Sequence, residues 1–196
     1  MSSPQPDTPT RILQAAWSLL EQSDGQNVRM SDIAKAAGVS RQALYLHFPT
    51  RAELLVAATR YLDVVNKVDD HLIPSRTATR GTERLDAFIE AWGNYIPNIY
   101  AGAKALMAMQ TTDEAAALAW ADRMRAVREG CAAAIAALEK DGTLTPDHSP
   151  DHATDILCAL LSVPTWAQFT RDYGWSQQRY IDTTKQLARK VLVSAA

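Results

Sequence analysis

The chain has 196 residues, of which 47% are hydrophobic and 21% charged, with a formal net charge of −2 and a mean hydropathy of −0.19. That is enough chain to bury a core without disulfides or a structural metal, and too apolar to be disordered. No apolar run nears the roughly eighteen residues of a membrane span, Met1 to Asp7 lack the basic and apolar regions of a signal peptide, and Cys131 and Cys158 form no pair motif; a cytoplasmic, reduced setting with no membrane partner is expected.

Alanine is abundant and β-branched runs are scarce, which favours helix throughout. Thr8-Pro9 reads as an N-cap followed by proline at the first helical position. Behind it Ile12, Leu13, Ala16, Leu19 and Leu20 recur at helical spacing, and Gly25 ends the element. Thr50-Arg-Ala-Glu53 is a capping box opening a long helix with the stripe Leu54, Ala58, Leu62, Val65 and Leu72. Pro74 to Gly81 reads as a polar linker. Leu85, Phe88, Ile89, Trp92, Ile96 and Ile99 then form a stripe broken or kinked by Pro97. Thr111-Thr-Asp-Glu114 is a second capping box, whose helix stops near Gly142. Ser149-Pro150 caps the next helix, with Pro164 as a kink and Gly174 as its stop. Ser176, flanked by Trp175 and Tyr180, caps the last. About nine helices and no strand are expected. The chain divides into residues 1–50, a connecting helix and linker over 51–80, and a helical domain over 81–196.

The stretch from Met30 to Phe48 carries the functional signal. Ile33 and Ala37 face inward on a first short helix, and small Ala34 lets a second pack closely. Gly38 supplies the positive φ of a tight turn, Val39 plugs the core beneath it, and Ser40 caps a second helix burying Leu44 and Phe48. This is a helix-turn-helix, whose second helix enters the major groove with its first residues at the base edges. Arg41 can grip a guanine there and Gln42 an adenine. The overall acidity argues against a nucleic-acid partner, but residues 1–60 carry six Lys/Arg against five Asp/Glu.

Ile33-Ala34, Ala37-Gly-Val-Ser40, Leu44-Tyr45, His47-Phe48 and Glu53-Leu54-Leu55 together resemble the DNA-binding head of the tetracycline-repressor (TetR) family, over roughly residues 10–60. The resemblance implies a homodimeric transcriptional regulator, more often a repressor, with a three-helix reading head and a divergent helical C-terminal domain. That domain would bind a small-molecule effector and dimerise through its last two helices, so that two heads read a palindromic double-stranded DNA operator. By position, Arg41, Gln42 and Ala43 match base-reading residues, and Tyr45, His47 and Arg51 match phosphate contacts. Ser40 belongs with the latter, as does Arg29, which stands where the family usually has a small hydroxyl residue that caps the helix; Ser31 is the substitute cap. Gln42 stands where many members have glycine.

The aromatic and methionine residues of the second half admit two readings. Trp92, Tyr95, Tyr100, Met107, Met109, Trp120, Met124, Trp166, Phe169 and Tyr173 either fill an ordinary core or line an effector cavity near Pro97 and Pro164, where broken helices leave carbonyls free. His148 and His152 lie among three acids, but Pro150 between them favours a solvated helix start over a metal face. No Gly-rich phosphate loop, zinc-protease pair or nucleophile elbow is present, so neither enzyme activity nor a cofactor or metal is expected. The competing readings are a helical small-molecule-binding protein or enzyme with an incidental αα-corner, and a constitutive DNA-organising protein of the same fold.

Overall fold

A computed structural model describes residues 6–23 and 28–194. Gly25, the expected end of the first helix, lies outside the described residues. Among these the chain is all-α, as expected, with α1 (Thr8–Gln22), α2 (Met30–Ala36), α3 (Arg41–His47), α4 (Arg51–Val65), α5 (Val68–Thr77), α6 (Gly81–Met109), α7 (Glu114–Lys140), α8 (Pro150–Leu160), α9 (Val163–Ala167, continued by a π-helical turn over Gln168–Asp172) and α10 (Gln177–Leu192). Packing divides the chain into two compact units, residues 1–65 with 99–123, and residues 66–98 with 124–196. The limits of these units fall within α6 and α7.

In the first unit, Ile12, Ala16 and Leu20 of α1 are wholly buried against Leu54, Leu55 and Ala58 of α4. Ile33 of α2 and Leu44 of α3 complete this core from the short helices, and Leu106 and Met109 of α6 join it. Each such leucine or isoleucine contributes roughly 1.5–3 kcal/mol on burial. Gly102 of α6 has a packing reason: a methyl there would run into the indole of Trp17. A second layer of this unit is ionic. The Arg60 Nε donates to Asp122 at 3.0 Å, and Arg123 bonds both Asp122 and Asp63. Hydrogen bonds from Arg60 and then Arg123 hold the Asp122 carboxyl below its ordinary range against the opposing effect of burial.

The second unit is built on Leu85, Phe88 and Ile89 of α6, Ile135 and Leu138 of α7, Leu157 of α8, and Ala188 and Leu192 of α10. Ion pairs rim it: Lys185 with Glu90, Arg189 with Asp86, and Arg128 with Asp155. Ser149 and Ser176 cap α8 and α10 as expected, accepting from the His152 and Arg179 amides.

Four local expectations are corrected. Asp7, not Thr8, caps α1 by accepting from the Thr10 amide at 3.0 Å, which moves Pro9 one position inward. The helix opened at Thr50 does not run to Leu72; it ends at Val65, and Lys67 takes a left-handed φ of 50° before α5. The region from Pro74 is not a linker, because α5 continues through it to Thr77. The missing amide of Pro74 deprives only the carbonyl of Asp70, an exposed residue where water can substitute. Pro164 kinks nothing: it lies in the first turn of α9, capped by Ser162.

Pro97 is the informative case, since α6 is not broken there but continues through it. A proline at 97 removes the donor that would serve the Gly93 carbonyl. The Gln177 side chain supplies the replacement, its Nε2 donating to that carbonyl at 2.7 Å. The Gln177 Oε1 in turn accepts from the Trp166 indole at 2.8 Å. The carbonyl expected to face a cavity is thus taken up by the second unit's own side chains.

Candidate nucleic-acid interface

The turn between α2 and α3 is fixed by hydrogen bonds that only one backbone course allows. Gly38 has φ +64°; its amide reaches the Lys35 carbonyl and the Val39 amide reaches that of Ala34, a Schellman closure of α2. The helix then restarts at once, as Ser40 Oγ accepts from the Ala43 amide at 3.1 Å. Arg29 occupies the N-cap of α2 without a side-chain capping bond, and Ser31 lies inside that helix. Arg29 is exposed and its side chain stays available.

With Leu44 fully buried, the phase of α3 is set. Arg41, Gln42, Tyr45 and Leu46 follow at the spacing of one outward stripe, and all four are exposed, while Ala43 is half-buried. Arg41 and Gln42 project without a partner among the described residues. His47 is exposed at the end of α3. Ser40 spends its oxygen on the cap, leaving its hydroxyl hydrogen to the outside. Leu46, 81% exposed, was not singled out from the sequence. An apolar residue inside an apolar-looking Leu-Tyr-Leu run carries no mark of exposure until the phase of the helix is known.

Arg51 is placed otherwise than the sequence suggests. Its Nε donates to the Val28 carbonyl at 2.7 Å, and its Nη1 meets both Asp113 oxygens at 2.6 and 2.7 Å. Asp113 also accepts from the Ala115 and Ala116 amides, so it, rather than Thr111, caps α7. Burial pushes the Asp113 carboxyl up, but the Arg51 hydrogen bond and the two amides outweigh it and hold the group below its usual range.

The residues suggested for an effector cavity fall in both units. Tyr100, Met107 and Trp120 belong to the first, and Trp92, Tyr95, Met124, Trp166 and Phe169 to the second. In the second, Trp92 and Tyr95 meet edge to face at 5.7 Å, and the Trp92 indole donates to the Leu161 carbonyl at 2.7 Å. Phe169 stacks on Trp175 at 4.3 Å, and Trp166 is buried. A cleft of about 820 Å³ in this unit is lined by Arg80, Glu83, Thr145, Asp147 and Lys190 among others, and by none of these aromatics. His148 and His152 stand edge to face at 4.8 Å, and no group of three metal-ligating side chains occurs among the described residues.

A model of bacterial regulatory proteins of the tetR family matches residues 12–58. The HTH-type transcriptional regulator EthR of Mycobacterium tuberculosis is 30% identical over 187 residues, covering 90% of this chain and 83% of that protein. The chain belongs to the tetR family. The nucleoid occlusion factor SlmA of a Marinomonas species is 38% identical over 63 residues, so this chain spans about a third of that relative's length. Among solved structures, a transcriptional regulator from Saccharomonospora viridis in complex with choline superposes with a TM-score of 0.73 at 22% identity, over 97% of this chain and all of that one. The tetR-family fold thus extends over both units, while the match to SlmA covers only 32% of this chain.

No helix among the described residues is long and apolar enough to cross a membrane.

Proposed function

We propose that this tetR-family protein is a homodimeric, sequence-specific DNA-binding transcriptional repressor, without enzymatic activity, that leaves its operator when a small molecule binds. The observation that carries the reading is the outward stripe of α3, where Arg41 and Gln42 extend from a Ser40-capped turn without a partner among the described residues. Arg41 pairs with a guanine edge and Gln42 with an adenine edge, while half-buried Ala43 allows close approach of α3 to the groove floor. Leu46 adds an apolar contact suited to a thymine methyl. Arg29, Ser40, Tyr45 and His47 hold phosphates and set the register. Arg51 braces the head through Asp113 and stays out of the phosphate contacts.

The dimer forms through the last two helices. Leu187 and Val191 of α10, each 38% exposed and one helical turn apart, supply its apolar centre. Two heads so joined read half-sites about one helical turn or a multiple apart. The effector enters among the aromatic and methionine side chains of the second unit, Trp92, Tyr95, Met124, Trp166 and Phe169. Support comes from the choline complex of a protein of the same fold and from α6 and α7, which each serve both units. A molecule that shifts either helix in one unit therefore acts on the other. The protein works in the cytoplasm, where the bacterial chromosome lies.

Selection of binding sites from random duplex DNA by the purified protein tests this reading. Recovery of a palindrome with guanine and adenine at matched positions of each half supports it. Recovery of no preferred sequence favours a DNA-organising protein of the same fold, and absence of binding at low salt removes DNA from the account.

A further inference from the structure

The two cysteines are 27 positions apart in sequence and neither belongs to a motif, yet the fold sets them side by side. Cys131 of α7 is fully buried in the core of the second unit, and Cys158 of α8 packs against the same core while remaining partly open to solvent. The two thiols lie close enough that each shifts the ionisation of the other. One turn earlier on each helix, Arg128 pairs with Asp155, which ties α7 to α8 near the two thiols. This ion pair also fixes a guanidinium beside the more accessible sulfur.

Those surroundings make the two thiols unequal. The interaction with Cys131 and the charge of Arg128 pull the Cys158 thiol below its ordinary range, although burial opposes them. The same interaction with Cys158, together with burial in the core, pushes the Cys131 thiol up against the weaker pull of Arg128. A partly accessible thiol of lowered pKa beside a cation, backed by a second, buried thiol, is the arrangement of an attacking and a resolving cysteine.

We infer that Cys158 and Cys131 form a reversible, hydroperoxide-sensitive dithiol that ties α7 to α8. In the first step the Cys158 thiolate attacks the outer oxygen of a hydroperoxide. The O–O bond breaks, Cys158 becomes a sulfenic acid, and the remaining oxygen leaves as an alcohol, or as water from hydrogen peroxide. In the second step the Cys131 sulfur attacks the Cys158 sulfur. The S–S bond forms, the S–O bond breaks, and the departing hydroxide takes the Cys131 proton to become water. Two thiols have lost two electrons to one peroxide, and a dithiol reductant returns them. The inference is independent of operator binding.

Treating the full-length protein with hydrogen peroxide, then digesting it with trypsin without reductant, tests this directly. Residues 129–140 carry Cys131 and residues 141–171 carry Cys158, with no Lys or Arg inside either stretch before its end, so cleavage after Lys140 separates them. The expected result is a cross-linked pair of these peptides, lighter by two hydrogens, that separates again with a dithiol. Cys131→Ala should halt at a sulfenic acid on Cys158, captured by a dione probe; should that core variant fail to fold, the wild-type digest decides alone. Unlinked peptides after oxidation, or a link between Cys158 of two chains, would overturn the inference.

Discussion

Arg51 and Asp113, 62 residues apart in sequence, meet in an ion pair in which one Nη1 reaches both carboxylate oxygens at 2.6 and 2.7 Å, joining the start of α4 to the cap of α7. Both side chains are largely buried, at 19% and 11% exposure, and the third bond of Arg51 reaches the Val28 carbonyl just before α2. One guanidinium therefore fixes three points around the helix-turn-helix. Removing it strands a buried carboxylate, and the loss should be about 3 kcal/mol. Arg51→Ala should lower the denaturant midpoint accordingly, yet leave the salt dependence of DNA binding by the folded protein unchanged. A slope smaller by about one unit would instead assign Arg51 a phosphate.

The same pair predicts how stability depends on pH. The folded carboxyl of Asp113 lies below its ordinary value of 3.8, so its contribution is fully present above that value and is lost as pH falls through the folded one. Asp122 shifts in the same direction. Unfolding followed from pH 6 downward should show a loss of stability beginning near pH 4 and continuing below it. Asp113→Asn should be less stable at neutral pH and less sensitive to acid. An equally steep acid loss in that variant would remove Asp113 from the explanation.

Gln177 is predicted to matter more than an ordinary glutamine. It serves the Gly93 carbonyl left without its helical donor by Pro97, and it accepts from the Trp166 indole. Gln177→Leu leaves both groups unsatisfied, at a cost of about 1–3 kcal/mol for each. Thermal unfolding of Gln177→Leu alone and together with Pro97→Ala checks this. Restoring the backbone donor should recover part of the loss in the double variant, whereas purely additive losses would contradict the account.

The proposed dimer centre is testable without disturbing the core, because Leu187 and Val191 point outward on α10. Leu187→Glu with Val191→Glu should give a folded monomer by analytical ultracentrifugation and weaken binding to a palindrome far more than to a single half-site. An unchanged dimer would place the interface elsewhere.

The reading head was legible in sequence because its requirements are local. Gly38, Ser40, Leu44 and Phe48 each answer a demand set within a few residues: a left-handed turn, a cap, or an inward phase. What escaped was long-range. The capping motif around Thr111 resolves to Asp113 because a distant arginine orients that carboxylate. The apolar stripe from Leu54 to Leu72 continues in register across Lys67, so nothing in the pattern betrays the left-handed residue that breaks it. Pro97 looks like a helix breaker until Gln177, 80 positions on, is seen to repair the bond it removes. The aromatic residues of the second half read as one cluster because they share a chemical type, yet they distribute over two units.

The central claim is that α3 reads sequence through Arg41. The measurement that tests it most directly is the affinity of wild type and Arg41→Ala for the selected operator and for a scrambled duplex of equal length, across a range of salt. The account predicts that the variant loses about 1–3 kcal/mol on the operator and much less on the scrambled duplex, narrowing the gap between them. Equal weakening on both, together with a salt slope reduced by about one unit, would make Arg41 a phosphate contact and contradict the claim.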